Sequence, residues 1–304
     1  MITQLLMKKI EFLFDWIRDK WESPEVQRRV SSLMIMVFLA ALFLIELRRL
    51  EFLPIFMQDY ISLNHLHAID FAFNLLLIKE VFEMILYLPR SISNAQRKQL
   101  QILTLILIRF AFKKLSTLGE PVGVTGQLES MEPILEIAVG GLSGLIVFTI
   151  VHYFYKLKNQ PLLLDPVLRD RFIAEKKMVA LVLIAAFLVV GIGNAENIFL
   201  EHNLDQALHI FFTIFIFADI LIVLISMQYS QLFLSIFRNS GFALATVIVR
   251  ISVTAPPYYR EALAVFAALF SYFIAYVYNK SIVNVLDYLK LRSKKDKKPR
   301  KVHR

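Results

Sequence analysis

Two acids and two arginines sit where charge is hardest to keep, inside runs of apolar residues. Asp219 interrupts IFFTIFIFADILIVLIS and Arg250 lies in GFALATVIVRISV, while IDFAFNLLLIKEVFEMIL carries Glu80 and ILTLILIRFAF carries Arg109. A carboxylate at membrane depth can accept a proton or gate a cation, and a guanidinium there can contact an anion. Charge is costly in lipid, so each acid is expected to face the arginine of the next apolar segment. Two uses then stay open. Each pair could form a bidentate bridge that fastens neighbouring helices with no solute involved. Alternatively, the pairs could line a polar path for a proton or small ion, with arginine as the anion contact and the carboxylate as gate or proton acceptor. Lys79 and Glu83 add charge to the first pair only. Glu83 is at i+3 from Glu80, while Lys79 lies about 100° round the helix from it, so one partner cannot serve all of them.

The elements that hold these charges must be membrane helices. The chain has 304 residues, 57% of them apolar and 19% charged, with a mean hydropathy of +0.59, too apolar for a soluble domain of this size. Runs of about 18 to 20 apolar residues suit spanning helices, and the short alternating segments of a β-barrel are absent. Eight spans are expected, near 30–47, 69–88, 98–112, 133–155, 177–193, 207–227, 240–254 and 260–278. At 1.5 Å per residue, Asp219 and Arg250 both fall about 15 to 18 Å from the outer edge, and Glu80 and Arg109 about 14 to 16 Å. All four then lie close to the midplane of a core about 30 Å thick.

Landmarks recur in order between the two halves. Arg109 and Arg250 are 141 positions apart, and the cap-and-proline start Ser23-Pro24 returns 142 positions later as Asp165-Pro166. Gly140 and Gly144, a small-residue pair that lets helices approach closely, have counterparts in Ala267 and Ser271. The expected architecture is all-α and integral to the membrane, a tandem duplication of a four-helix unit whose copies insert the same way up because four is even. Its parts are an amphipathic interfacial helix (1–22), two four-helix repeats (23–158 and 159–289) and a polybasic tail (290–304). In the first part Ile2, Leu6, Ile10, Leu13, Ile17 and Trp21 share one face, opposite Lys8, Glu11, Asp15, Arg18 and Glu22. No cleavable signal peptide is legible there, so the first span is expected to direct insertion.

On this topology 26 of the 34 Lys and Arg fall on the side of both termini, which places both ends in the cytoplasm of an inner-membrane protein. The formal charge of +9 then reflects orientation. Lys294, Lys295, Lys297, Lys298, Arg300 and Lys301 form a juxtamembrane cluster suited to anionic lipid. The tail lacks the interleaved aromatics of a nucleic-acid-binding module, so a nucleic-acid partner is disfavoured. The small-residue pairs leave room for a homo-oligomer.

No cofactor or metal is expected. The chain has no cysteine, which removes disulfides and thiolate chemistry. His65 and His67 near Asp59 and Asp70 are spaced i, i+2, poor for helical ligands. His152 and His209 lie near span ends, as interfacial residues do. HExxH, Gly-x-Ser-x-Gly and phosphate-loop motifs are absent, so an enzyme is not expected.

The second half, from Asp219 through Ala245 to Arg250, a short loop (TAPPYYRE) and an apolar last span, resembles the PsiE family, small four-span membrane proteins named for induction by phosphate starvation. Glu80 and Arg109 extend a looser likeness over the first half. The resemblance implies two PsiE-like units and a bacterial envelope or nutrient-stress context, and it implies no mechanism. In both halves the loop before the last span departs from the family's charged run.

Overall fold

The computed structural model describes residues 2–54, 61, 63–115, 128–157, 166–194, 205–229 and 232–296. Among the described residues every long element is a helix: α1 (Ile2–Glu22), α2 (Pro24–Arg49), α3 (Leu66–Tyr87), α4 (Ile92–Leu115), α5 (Leu128–Lys156), α6 (Pro166–Gly193), α7 (Asp205–Tyr229), α8 (Phe233–Thr254) and α9 (Tyr259–Asp296).

Their ends reflect local chemistry. Ser23 has extended backbone and accepts a 3.4 Å hydrogen bond from the Val26 amide, with Pro24 in the first helical turn, where its missing N–H costs nothing. At the other end of α2 the Phe52 amide donates to Leu47 O and the Glu51 amide to Arg48 O, both at 3.0 Å. That is the paired closure usually built on glycine, and here Glu51 takes the left-handed φ of 60°. Tyr258 is likewise left-handed at φ 69°, and its amide donates to the Glu261 carboxylate at 2.6 Å, capping α9. Asp165, the expected cap of α6, lies outside the described residues.

Among the described residues six helices, α2 and α5 to α9, contain stretches long and apolar enough to cross a membrane. The expectation of eight is corrected on that measure. The segments 69–88 and 98–112 are helical as α3 and α4, but α3 carries Asp70, Lys79, Glu80 and Glu83, and α4 carries Arg97, Lys98, Arg109, Lys113 and Lys114. Much of α4 is buried in the bundle, Arg97 and Arg109 included.

The packing repeats. α2 packs on α3, α3 on α4 and α4 on α5, and in the same order α6 packs on α7, α7 on α8 and α8 on α9. The sets meet where α4 touches α8 and α9, and where α5 touches α9. Contacts between helix ends give their senses. Around α1 gather the α3–α4 turn (Arg90 to Glu22, 2.6 Å) and the first half of α6 (Lys177 to Asp15, 2.7 Å). The end of α7 joins them (Tyr229 to Glu175, 2.7 Å), and the α4 start meets the α5 end (Arg97 to Leu157 O, 2.8 Å). Thus α2 and α6 both begin at the α1 end, and the two sets run in the same sense.

α1 differs from expectation in rotation. Phe14, outside the expected face, is fully buried, with Ile17 and Trp21 packed beside it on the core, while Leu13 is 49% exposed. The step Ile10, Phe14, Ile17, Trp21 keeps to the 3.6-residue period, and the Asp15–Lys177 bridge fixes the helix on α6. Phe12, Leu13 and Trp16 are left pointing outward.

Candidate functional site

Asp219 comes from the middle of α7 and Arg250 from α8. Arg250 Nη2 lies 2.8 Å from Asp219 Oδ2, with the two side chains 0% and 6% exposed. The distance is that of a strong ion pair, yet the N–H direction is not: neither Asp219 Oδ2 nor any of Nε, Nη1 and Nη2 of Arg250 makes an aligned hydrogen bond among the described residues. The bidentate bridge is therefore not the arrangement here. Instead the guanidinium lies on the face of Phe215, one turn before Asp219 on α7, with Cζ 3.6 Å from the ring centroid. Burying five N–H donors without aligned acceptors is costly, so the pair holds unspent hydrogen-bonding capacity in the bundle centre.

In the first set the geometry is tighter. Arg109 Nη1 donates to Glu80 Oε2 at 2.8 Å, each side chain 3% exposed. Lys79 pairs with Glu83 at 2.7 Å, four residues on, and Lys98 of α4 approaches the same carboxylate at 3.7 Å. The first set thus carries two ammonium groups on one acid, beside a separately closed Glu80–Arg109 latch.

One cavity is lined by Asp219, and a second lies along the same helices beyond Arg250. Towards the α1 end, one of about 50 Å³ is lined by Asp219, Thr246, Ser226, Asn239, Gln96 and Gln99, among apolar neighbours. That is room for a few waters. Several of these side chains are tied to neighbours: Asn239 Nδ2 donates to Ser226 Oγ at 3.2 Å and Gln96 Nε2 to Ser271 Oγ at 2.9 Å. Buried Gln99 Oε1 has no donor among the described residues. Towards the other end, a cavity of about 300 Å³ is lined by Lys113, Lys114, His209, Thr254, Arg260 and Glu136, with Lys114 paired to Glu136 at 3.0 Å. Helices α4, α7 and α8 contribute to both cavities. Along α8 the order is Asn239, Thr246, Arg250, Thr254. Thr246 and Thr254 each stand one turn from Arg250, about 6 Å along the axis. Asp219 lines the first space, and the second begins at Thr254, one turn beyond Arg250.

The remaining candidate residues take structural places. An added Cβ at Gly140 would lie 3.3 Å from Ala111 Cβ, and one at Gly144 would lie 3.0 Å from Ile108 Cγ1, so both pack α5 on α4. Ala267 and Ser271 are fully buried on α9. His65 is held between Arg49 (3.1 Å) and Glu46 (3.0 Å), and no group of three metal-ligating side chains occurs among the described residues. Asp59 and the tail residues Lys297, Lys298, Arg300 and Lys301 lie outside the described residues, and of Lys294 and Lys295 only the helical backbone is described.

Sequence reasoning passed over Gln96, Gln99, Ser226, Asn239, Thr246 and Phe215. A signal was there: Asn239, Thr246 and Arg250 stand at i, i+7 and i+11, one polar stripe on α8, and Asp219 and Ser226 repeat the i, i+7 step on α7. Gln96 and Gln99 are a matching i, i+3 pair on α4.

No protein-family model, curated protein or solved structure matches this chain. The class that stands on the structure is a multi-span helical membrane protein with buried, paired charges, and nothing in these comparisons ties it to the PsiE family.

Proposed function

We propose that the second helix set, together with α4, forms a proton path across a membrane, with Asp219 as the proton acceptor and Arg250 as the charge that keeps the path shut. The observation that carries this is a pair of cavities both lined by α4, α7 and α8, one at Asp219 and Thr246 and the other from Thr254 onward, with Arg250 between these threonines along α8. Polar side chains lead from the α1 end to the Asp219 carboxylate, and a second polar space begins one turn beyond Arg250. A proton delivered to Asp219 would cancel the charge that holds Arg250. The guanidinium, no longer held by an opposite charge, would then be free to turn towards either space and let the proton pass.

On this reading the six apolar helices cross a cytoplasmic membrane with both termini on the cytoplasmic side, and α3 and α4 pack with them in two four-helix units that stand side by side. The shared sense of α2–α5 and α6–α9 and their repeated packing order support a duplication. A PsiE-like origin and a phosphate-starvation or other stress context belong to the same proposal. In the first set the aligned Arg109–Glu80 bond favours the other use of such a pair, a fastener between α3 and α4. The protein would then be a one-path proton conductor with a scaffolding half, not an enzyme.

The test is proton flux into liposomes carrying an internal pH dye, driven by a potassium diffusion potential. Wild type is expected to conduct and Asp219→Asn to lose at least about tenfold, as for removal of a proton-relay group. Equal flux in the two, or wild-type flux no greater than in empty liposomes, overturns the reading.

A further inference from the structure

In the first set, two lysines that share one acid face a space that opens sideways. A groove of about 470 Å³ runs between α3 and α4 over the Glu80–Arg109 latch, and its two ends differ in chemistry. Towards the α1 end it is lined by Lys79, Glu83 and Lys98; away from it, by Leu105, Phe112 and Phe148, which are 53%, 44% and 58% exposed. Lys98 and Phe112 are 14 residues apart on α4, about 21 Å along the axis. At the α1 end Glu83 and Lys98 also line a second cavity of about 320 Å³, together with Trp21, Glu22, Gln27 and Tyr87. Trp21, whose buried indole N–H has no acceptor among the described residues, forms part of that wall.

We infer that these two spaces form one binding site for an anionic phospholipid. The chamber beside α1 takes the headgroup, the Lys79 and Lys98 ammonium groups take the phosphate, and the apolar groove takes the upper part of an acyl chain. Charge supports this occupant over a neutral lipid. Two lysines share one carboxylate, Glu83, at 2.7 and 3.7 Å, while Glu22 in the same chamber is already neutralised by Arg90 at 2.6 Å. The local balance is one positive charge, which a phosphodiester matches. Direction supports it too, because the charged end lies at the bundle's α1 edge and the apolar end runs inward, as a lipid of that leaflet does. The site is built from α1 to α5 and does not depend on any proton path in the second set.

The test is native mass spectrometry of the full chain in detergent, titrated with a phosphatidylglycerol and, separately, with a phosphatidylcholine of the same chains. Wild type is expected to hold one phosphatidylglycerol in preference to phosphatidylcholine. Lys79→Gln/Lys98→Gln should lower that preference by about fivefold per lysine. Glu83→Gln should raise it, because the competing carboxylate is gone; a gain of binding is not the result of a damaged fold. Leu105→Trp, on the exposed wall, should weaken both lipids alike. Equal retention of the two lipids by wild type, or loss of preference in Glu83→Gln, overturns the assignment.

Discussion

Removing one member of the Asp219–Arg250 pair separates what the pair does for stability from what it does for transport. Charges in contact at 2.8 Å between nitrogen and oxygen have centres about 4 Å apart, worth about 4 kcal/mol at an effective dielectric near 20. Breaking a buried pair from one side costs about 3–5 kcal/mol, because the survivor stays buried and unpaired. Asp219→Asn keeps the Phe215 face under the guanidinium, a contact worth about 2 kcal/mol when desolvated, so its cost should lie at the lower end, about 3 kcal/mol. Arg250→Met strands the carboxylate and should cost about the same. The double variant Asp219→Asn/Arg250→Met, with no stranded charge, should return to within about 1 kcal/mol of wild type, a coupling near 3 kcal/mol or more. The assay is reversible unfolding in mixed micelles, read by tryptophan fluorescence, with liposome proton flux measured on the same four proteins. Recovered stability with flux still absent is the expected result. Additive losses in the double variant would refute the pairing, and a stable double variant that still conducts would refute the role of Asp219.

Packing sets two more outcomes. An added Cβ at Gly241 would come within 2.6 Å of Ile274 Cδ1, the mobile tip of a side chain; Gly241→Ala should therefore be mild and Gly241→Leu should cost about 1–3 kcal/mol by overpacking α8 on α9, measured as a shift in unfolding midpoint. Phe14→Ala should cost about 3–5 kcal/mol if it is read by global unfolding, and should release α1 from α6, exposing the 15–21 segment to protease before the rest of the chain unfolds.

The features legible in the sequence are those that solvent and helical period impose. Apolar runs mark helices whatever they pack against, and a charge inside such a run must find a counter-charge, so Asp219 and Arg250 could be set opposite each other by counting residues from span ends. The count of eight spans was too high by length and apolarity, because α3 and α4 carry charges that only neighbouring helices make tolerable. The rotation of α1 was also out of reach: Leu13 and Phe14 are adjacent and both apolar, and only the partner helix α6 with Lys177 decides which of them is buried. The aligned latch in one set and the misaligned pair in the other depend on side-chain direction at ångström scale. Spacing along a chain carries no such information. The polar stripes of α4, α7 and α8 were readable, but apart from the Asp219–Arg250 pair they consist of uncharged residues, and their meeting in one cavity is a property of packing.

The central claim is that the Asp219–Arg250 pair divides two water-reachable spaces that open on opposite sides. The chain has no cysteine, so Thr246→Cys and Thr254→Cys each give a single labelling site, on either side of Arg250. With a membrane-impermeant thiol reagent applied to oriented vesicles, Thr246→Cys should react only from the side of α1 and Thr254→Cys only from the opposite side. Reaction of both from one side, or of neither from any side, would contradict the account.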